Sequence, residues 1–291
     1  AEATAAAHRL ELPAYTFPED AVRAFGALWQ RAAWLQRADA PSVSPEAEHA
    51  ERVQRARARR NAQNALLIHR GAGRATLDAA ACRPLLEAYG LPVPPEGLAL
   101  DPADAVEFAE RIGYPVALKL ISPDILHKSD IGGVLLNVAD AEAVRAGFTA
   151  IIERAHAAHS GAHVRGVQVQ KMVTGGQEVI IGVKRDPTFG PLVMFGLGGI
   201  YVEALADVSF RLAPLTLADA DEMIDEVRSA RLLRGLRGAA PADRAALADA
   251  IVRVGQLAAD HPEIAELDIN PLLVLPAGEG VLAVDARVIV G

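Results

Sequence analysis

Cysteine, lysine and long apolar runs are all scarce in this chain of 291 residues. A single cysteine, Cys82, excludes an intrachain disulfide and points to a reducing, cytoplasmic setting. Within LDAAACRPLLEAYG it reads as a small buried hydrophobe rather than a nucleophile. No stretch reaches the roughly eighteen continuous apolar residues of a membrane helix. The opening AEATAAAH lacks the basic flank and apolar core of a secretory signal. It also lacks a methionine, so either that residue is removed or the chain starts inside a longer protein. A formal net charge of −8 argues against a nucleic-acid partner, because phosphate-backbone binding needs a concentrated Lys/Arg surface. The clearest basic run, RVQRARARR at 52–60, reads as a solvated helix face or linker. Neither GK[ST] nor GxGxxG occurs in a strand-to-helix context, which excludes a P-loop and a Rossmann fingerprint.

What is present suits a folded protein large enough for two domains: 51% of residues are hydrophobic and 23% charged. Lys119, Lys128, Lys171 and Lys184 are the only lysines and all lie in one central segment, with arginine used elsewhere. Arginine serves most surface roles of lysine but cannot imitate a compact ammonium in a tight pocket or on a phosphate.

Along the chain, LPAYTFPEDAVRAFGALWQRAAWLQR predicts an extended piece and then a helix opening at Pro18, with Glu19 and Asp20 in its first turn. Residues 38–48, ADAPSVSPEAE, read as exposed linker, and the stretch from the basic run to residue 74 carries no clear signal. From Thr76 helices and strands alternate, the pattern of an α/β fold. Helices are predicted over LDAAACRPLLEAYG to Gly90, from Pro102 to about Ile112, from Asp140 to about His159, and over 218–229 and 241–260. Strands are predicted at PVALKLI, GVLLNV, RGVQVQKMV, QEVIIGVKR and PLVMFGL, the last ending in a glycine cluster with Gly196, Gly198 and Gly199. A closing antiparallel hairpin joins IAELDINPLLVL to GVLAVDARVIV through PAGEG.

Polar residues inside apolar strands carry the functional signal. Asn270 and Asp285 lie on the two closing strands, within reach of each other across the hairpin. An amide and a carboxylate are what magnesium accepts from protein when nucleotide phosphates and water complete its octahedron, although strand-end hydrogen bonds would also account for the aspartates. Lys119 sits in VALKLI, where an unpaired ammonium is costly, so an anion should meet it. Glu178 and a nucleotide phosphate are the candidates, as is a solvent-open strand face. The loop ILHKSDIGGV places His127, Lys128, Gly132 and Gly133 together, and its glycines let backbone N–H groups approach phosphate. His156, His159 and His163 read as solvated.

Taken together, GYPVALKLISPDILHKSDIGGV, QEVIIGVKRDPTFGPLVMFGLGGIYVE, and ELDINPLLV with GVLAVDARV resemble the ATP-grasp region of ADP-forming acyl-CoA synthetases and, more distantly, the succinyl-CoA synthetase β subunit. The resemblance implies an ATP-grasp fold of two α+β lobes enclosing ATP or ADP with Mg2+. It implies a CoA-ligase tail at 1–37, a linker at 38–74 and the ATP-grasp domain at 75–291, with a lid-like lobe over 116–165 and a metal-binding lobe over 166–291. It places Lys119 on phosphate, Asn270 and Asp285 on magnesium, and a hinge that meets adenine near Gln170 to Val173, where the backbone of Lys171, Met172 and Val173 offers donors and acceptors, with Glu178, Gly132 and Gly133 completing the nucleotide site. His127, aided by Lys128, would carry phosphate from a phosphohistidine on a separate CoA-binding domain or subunit. Asp268 stands where the succinyl enzymes have a glutamate supporting that phosphohistidine. Two functions follow from the resemblance: the nucleotide-binding module of an acid–CoA ligase, or a ligand-sensing region fused to a lysine acetyltransferase.

Overall fold

The computed structural model describes residues 15, 17–35, 45–71, 75–125, 128–198, 207–235 and 240–291. The chain divides into two units, 1–53 and 54–291. The first contains helix α1 (Pro18–Leu35), which opens with Glu19 and Asp20 as its sequence requires and leaves Val22, Phe25, Leu28 and Trp29 exposed. A second helix, α2 (Pro45–Gly71), occupies the described part of the stretch read as linker. Ala58, Ala62, Ala65 and Leu66 recur at helical spacing and join the core of the larger unit. Alanines among arginines make an apolar stripe too thin to stand out in the sequence.

The unit 54–291 is built on two antiparallel sheets. The smaller runs in the order β2 (Glu96–Ala99), β5 (Gly166–Lys171), β3 (Val116–Ile121), β4 (Val134–Val138). Helices α4 (Pro102–Ile112) and α5 (Ala141–Ala158) cover one face, where Leu118, Leu120, Val167 and Val169 meet Val144, Phe148 and Ile151. Strand alternation sends Lys119, Gln168 and Gln170 to the opposite face. Both helices start at an aspartate cap: Asp101 accepts from the N–H groups of Ala103 and Asp104 at 2.8 and 2.9 Å, and Asp140 from Ala143 at 2.8 Å. The lobe therefore spans 96–171 rather than the expected 116–165. Strand β2 was not legible because Gly97 interrupts it; a Cβ there would collide with the Phe108 ring.

The larger sheet runs β1 (Thr76–Leu77), β11 (Ala286–Val290), β9 (Ile264–Val274), β6 (Gln177–Asp186), β7 (Gly190–Leu197), β8 (Val208–Leu212), with β10 (Val281–Ala283) also paired to β9. Helices α3 (Ala79–Ala88), α6 (Leu217–Glu226) and α7 (Arg244–Asp260) share a core with Val179, Ile181, Val193, Phe195 and Ile269. Cys82 is buried in that core, which pushes its thiol pKa well up, as expected of an inert residue. The closing hairpin forms as expected, β9 pairing with both β10 and β11. The TGG turn carries the chain from the small sheet to the large one. Its Gly175 and Gly176 have φ of 83° and 84°, and a Cβ on Gly176 would lie 2.9 Å from the Val274 carbonyl.

Candidate functional site

Two cavities are lined by residues of both sheets, and Asp285 borders each. The larger, about 500 Å3, is bounded by Lys119, Gln170, Lys171, Met172, Val173, Gly176, Glu178, Val284 and Asp285 among others. The smaller, about 240 Å3, is bounded by Asp78, Ser122, Lys128, Asp268, Asn270, Asp285 and Arg287 among others. Residues far apart in sequence thus meet around the Val284–Asp285 connection between β10 and β11.

Lys119 is 6% exposed at the centre of β3. Its Nζ donates to the Val284 carbonyl at 3.2 Å. Glu178 lines the same cavity, but no ion pair joins the two among the described residues. Burial pushes the Lys119 pKa down; Asp285 opposes this, Lys128 adds to it and Glu96 opposes it. An ammonium has three donors, and here a neutral carbonyl answers one of them, so the site favours an arriving anion. Gln170 approaches the same carbonyl from β5: its Nε2 donates to Val284 O at 3.1 Å and to Glu96 Oε2 at 2.8 Å. Arg83 Nη1 stands 3.7 Å from the other Glu96 oxygen.

The hinge works through its main chain. Lys171 lines the larger cavity, and its ammonium donates to the carbonyls of Gly113 and Tyr114, each at 2.9 Å. The N–H groups of Lys171 and Met172 donate to Pro95 and Pro115 carbonyls at 2.8 and 3.1 Å, anchoring the hinge to the small lobe. Met172 and Val173 remain on the cavity wall.

Gly132 and Gly133 border neither cavity in this structure. Their N–H groups close their own turn, onto Ser129 O at 3.1 Å and Lys128 O at 2.7 Å, and a Cβ on Gly133 would sit 2.8 Å from the Lys128 carbonyl. They are turn formers in this structure. His127 lies outside the described residues, as does Gly199; Lys128 lines the smaller cavity.

Asn270 and Asp285 come together as their spacing suggested, the Asn270 N–H donating to the Asp285 carbonyl at 3.0 Å. The Asp285 carboxylate accepts from the Ala286 N–H through Oδ1 at 3.0 Å, which sets its orientation. Among the described residues no cluster of three or more His, Cys, Asp or Glu forms a complete metal cage. One amide oxygen and one carboxylate on a shared cavity wall fit magnesium, which leaves its other positions to phosphate and water. Asp268 lies opposite Arg287 in the β9–β11 register. Burial raises its pKa, Arg287 pulls it back and Asp285 pushes it further up.

Sequence reasoning did not single out Asp78, Glu96 or Arg287. Asp78 is the cap of α3, accepting from the Ala81 N–H at 3.0 Å, and a capping aspartate looks the same whether or not it borders a cleft. The glutamines of GVQVQK had a signal: two polar side chains on one face of an otherwise apolar strand.

A family model described as an ATP-grasp domain matches residues 69–290. The chain is 52% identical over 208 residues to acetate–CoA ligase [ADP-forming] I of Archaeoglobus fulgidus, covering 72% of this chain and 30% of that one. It is 49% identical over 205 residues to acetate–CoA ligase [ADP-forming] I subunit beta of Pyrococcus furiosus, covering 70% and 88%. It therefore spans less than a third of the first relative's length and most of the second's. Among solved structures, the dinucleotide forming acetyl-coenzyme A synthetase 1 of Ca. Korarchaeum cryptofilum, in complex with coenzyme A and Mg-AMPPCP and with its phosphohistidine segment pointing towards the nucleotide binding site, matches with a TM-score of 0.70 and 42% identity. That match covers 79% of this chain and 100% of the other.

Proposed function

This chain belongs to the ATP-grasp domain family, and from that premise we propose that it is the nucleotide-binding portion of an ADP-forming acid–CoA ligase. In that reading it passes phosphate between a phosphohistidine on a CoA-binding partner and ADP, within the reaction acyl-CoA + ADP + phosphate = acid + CoA + ATP. The observation that carries the reading is Asp285, which borders both cavities and so stands where a nucleotide and an incoming phosphate would meet.

The larger cavity receives ADP, its base against Met172 and Val173 and its phosphates towards Lys119. A phosphate reaching Lys119 replaces a neutral carbonyl with an anion, which offsets the burial that depresses the ammonium's pKa. Asn270 and Asp285 hold magnesium, which when bound neutralises charge on the transferred group. The phosphohistidine enters by the smaller cavity, where Lys128 and Arg287 face its phosphate and Asp268 offers a carboxyl to its imidazole. A neutral ring nitrogen of His127 attacks phosphorus, the partner's P–N bond breaks, and a proton passes from the His127 ring to the departing imidazole. A terminal oxygen of ADP then takes the phosphoryl group, the second P–N bond breaks, and the His127 ring takes up one proton from solvent.

Two measurements test this. Calorimetry should show one ADP bound per chain in the presence of Mg2+. A phosphohistidine-bearing CoA-ligase partner should transfer its label to ADP with the wild-type chain and not with His127→Ala; transfer that survives in the variant removes the relay.

A further inference from the structure

The connection that presents Asp285 lies between β10 and β11 and has no strand ladder of its own to orient it. Four hydrogen bonds fix its main chain. The Val284 N–H donates to Pro271 O at 3.0 Å, and the Asp285 carbonyl accepts from Asn270 at 3.0 Å. The Val284 carbonyl accepts from Lys119 at 3.2 Å and from Gln170 at 3.1 Å. On the reading above, a bound phosphate draws Lys119 away, leaving Gln170 as the side chain still holding that carbonyl.

We propose that Gln170 is a positioning residue for the magnesium carboxylate: clamped by Glu96, its amide holds the Val284–Asp285 peptide in place once Lys119 has turned to phosphate. The chemistry of the neighbours supports this. An amide NH2 has two donors, and both acceptors that Gln170 faces, Glu96 Oε2 and Val284 O, lack a proton to give. The NH2 group must therefore be the end that points at them, and its two donors match two acceptors. Gln170 is 2% exposed and the Glu96 side chain 7%, so water does not compete for either bond. Arg83, on α3, stands behind Glu96 and ties the clamp to the large lobe. The clamp thus crosses from β5 and β2 of the small lobe to the metal-presenting connection of the large one. Binding of phosphate by Lys119 and retention of the metal ligand become separable tasks.

This rests on the nucleotide reading, and the test separates the two. ADP binding is measured by calorimetry with Mg2+ and with EDTA, on wild type, Gln170→Met, Glu96→Leu and Glu96→Gln, with melting temperatures recorded alongside. Gln170→Met and Glu96→Leu should each weaken Mg-dependent ADP binding about tenfold, the scale of one lost hydrogen bond; Glu96→Leu, which is off the cavity wall, should change metal-free binding less than about twofold. Glu96→Gln keeps an acceptor for the amide and should recover most of the affinity. If Gln170→Met does not fold, the two Glu96 variants carry the test. Equal losses with and without Mg2+, or no loss in any variant, overturn the clamp alone. A folded wild type that binds no ADP overturns the nucleotide reading and the clamp with it.

Discussion

Two buried polar networks in the unit 54–291 behave in opposite ways. Behind the large sheet, Asp260 at the end of α7 accepts from Arg55 Nη2 at 2.8 Å and from the Tyr89 hydroxyl at 2.9 Å, and that hydroxyl lies 3.1 Å from His261 Nε2. Burial alone would raise the Asp260 pKa, but hydrogen bonds from Arg55 and Tyr89 outweigh it and hold the carboxyl below its usual range. At the cleft, burial of Lys119 is not outweighed, and its pKa is held down. One network is neutralised by its own partners and serves the fold. In the other, Asp285 and Glu96 offset the burial of the ammonium only in part, which on the proposed reading leaves it to meet a phosphate.

Substitutions at the two centres should therefore separate binding from stability. Lys119→Met should weaken Mg-ADP binding about 100-fold, or roughly 2.7 kcal/mol, the scale of a charge-assisted contact to phosphate. Its melting temperature should hold or rise, because a buried ammonium on a neutral carbonyl gives the fold little. Asp260→Ala should do the reverse. Denaturant titration should show a loss of about 2 kcal/mol, moderated because the Arg55 side chain is 54% exposed and can turn to water, while ADP affinity stays within about twofold. Normal ADP binding by Lys119→Met, or a binding defect in a folded Asp260→Ala, would break the contrast.

Much of the cleft was readable because function here violates local rules. Lysine in an apolar strand, and asparagine and aspartate in a closing hairpin, contradict the burial their neighbours demand, and the fold brings all three to one place. Less was readable where a residue's role depends on direction. Lys171 lies on the wall of the larger cavity, but its ammonium serves the Gly113–Tyr114 carbonyls, and strand pattern does not say which way a long side chain turns. Gly132 and Gly133 suit a phosphate loop and a tight turn equally, since both need bare backbone. Glu96 was hidden by Gly97, and the burial of α2 by the small size of its alanines. The helices were legible at their caps, where Asp101 and Asp140 mark true starts; only the last three residues of the predicted 218–229 helix depart, α6 ending at Glu226 before a 3-10 turn at Arg228–Arg234.

The smallest expected effect lies in the neutralised network. His261 is fully buried, and burial pushes its pKa down; Glu263 and Asp260 oppose this, and Arg59 reinforces it. The folded state thus keeps the imidazole neutral at a pH where the unfolded chain, titrating near 6.5, has begun to bind a proton. Unfolded molecules then hold more protons than folded ones, so stability falls as pH drops below about 6.5, by at most ~1.4 kcal/mol per unit for a single group. Asp260, with its own pKa lowered, contributes its loss only in the more acidic range below the usual carboxylate value. Urea titrations between pH 7 and 5 should show this decline in wild type and a flatter profile in His261→Gln. Lys119→Met leaves the His261 network untouched, so it should keep the part of the slope that His261 supplies. A slope that persists in His261→Gln would move the acid sensitivity elsewhere and remove His261 from the account.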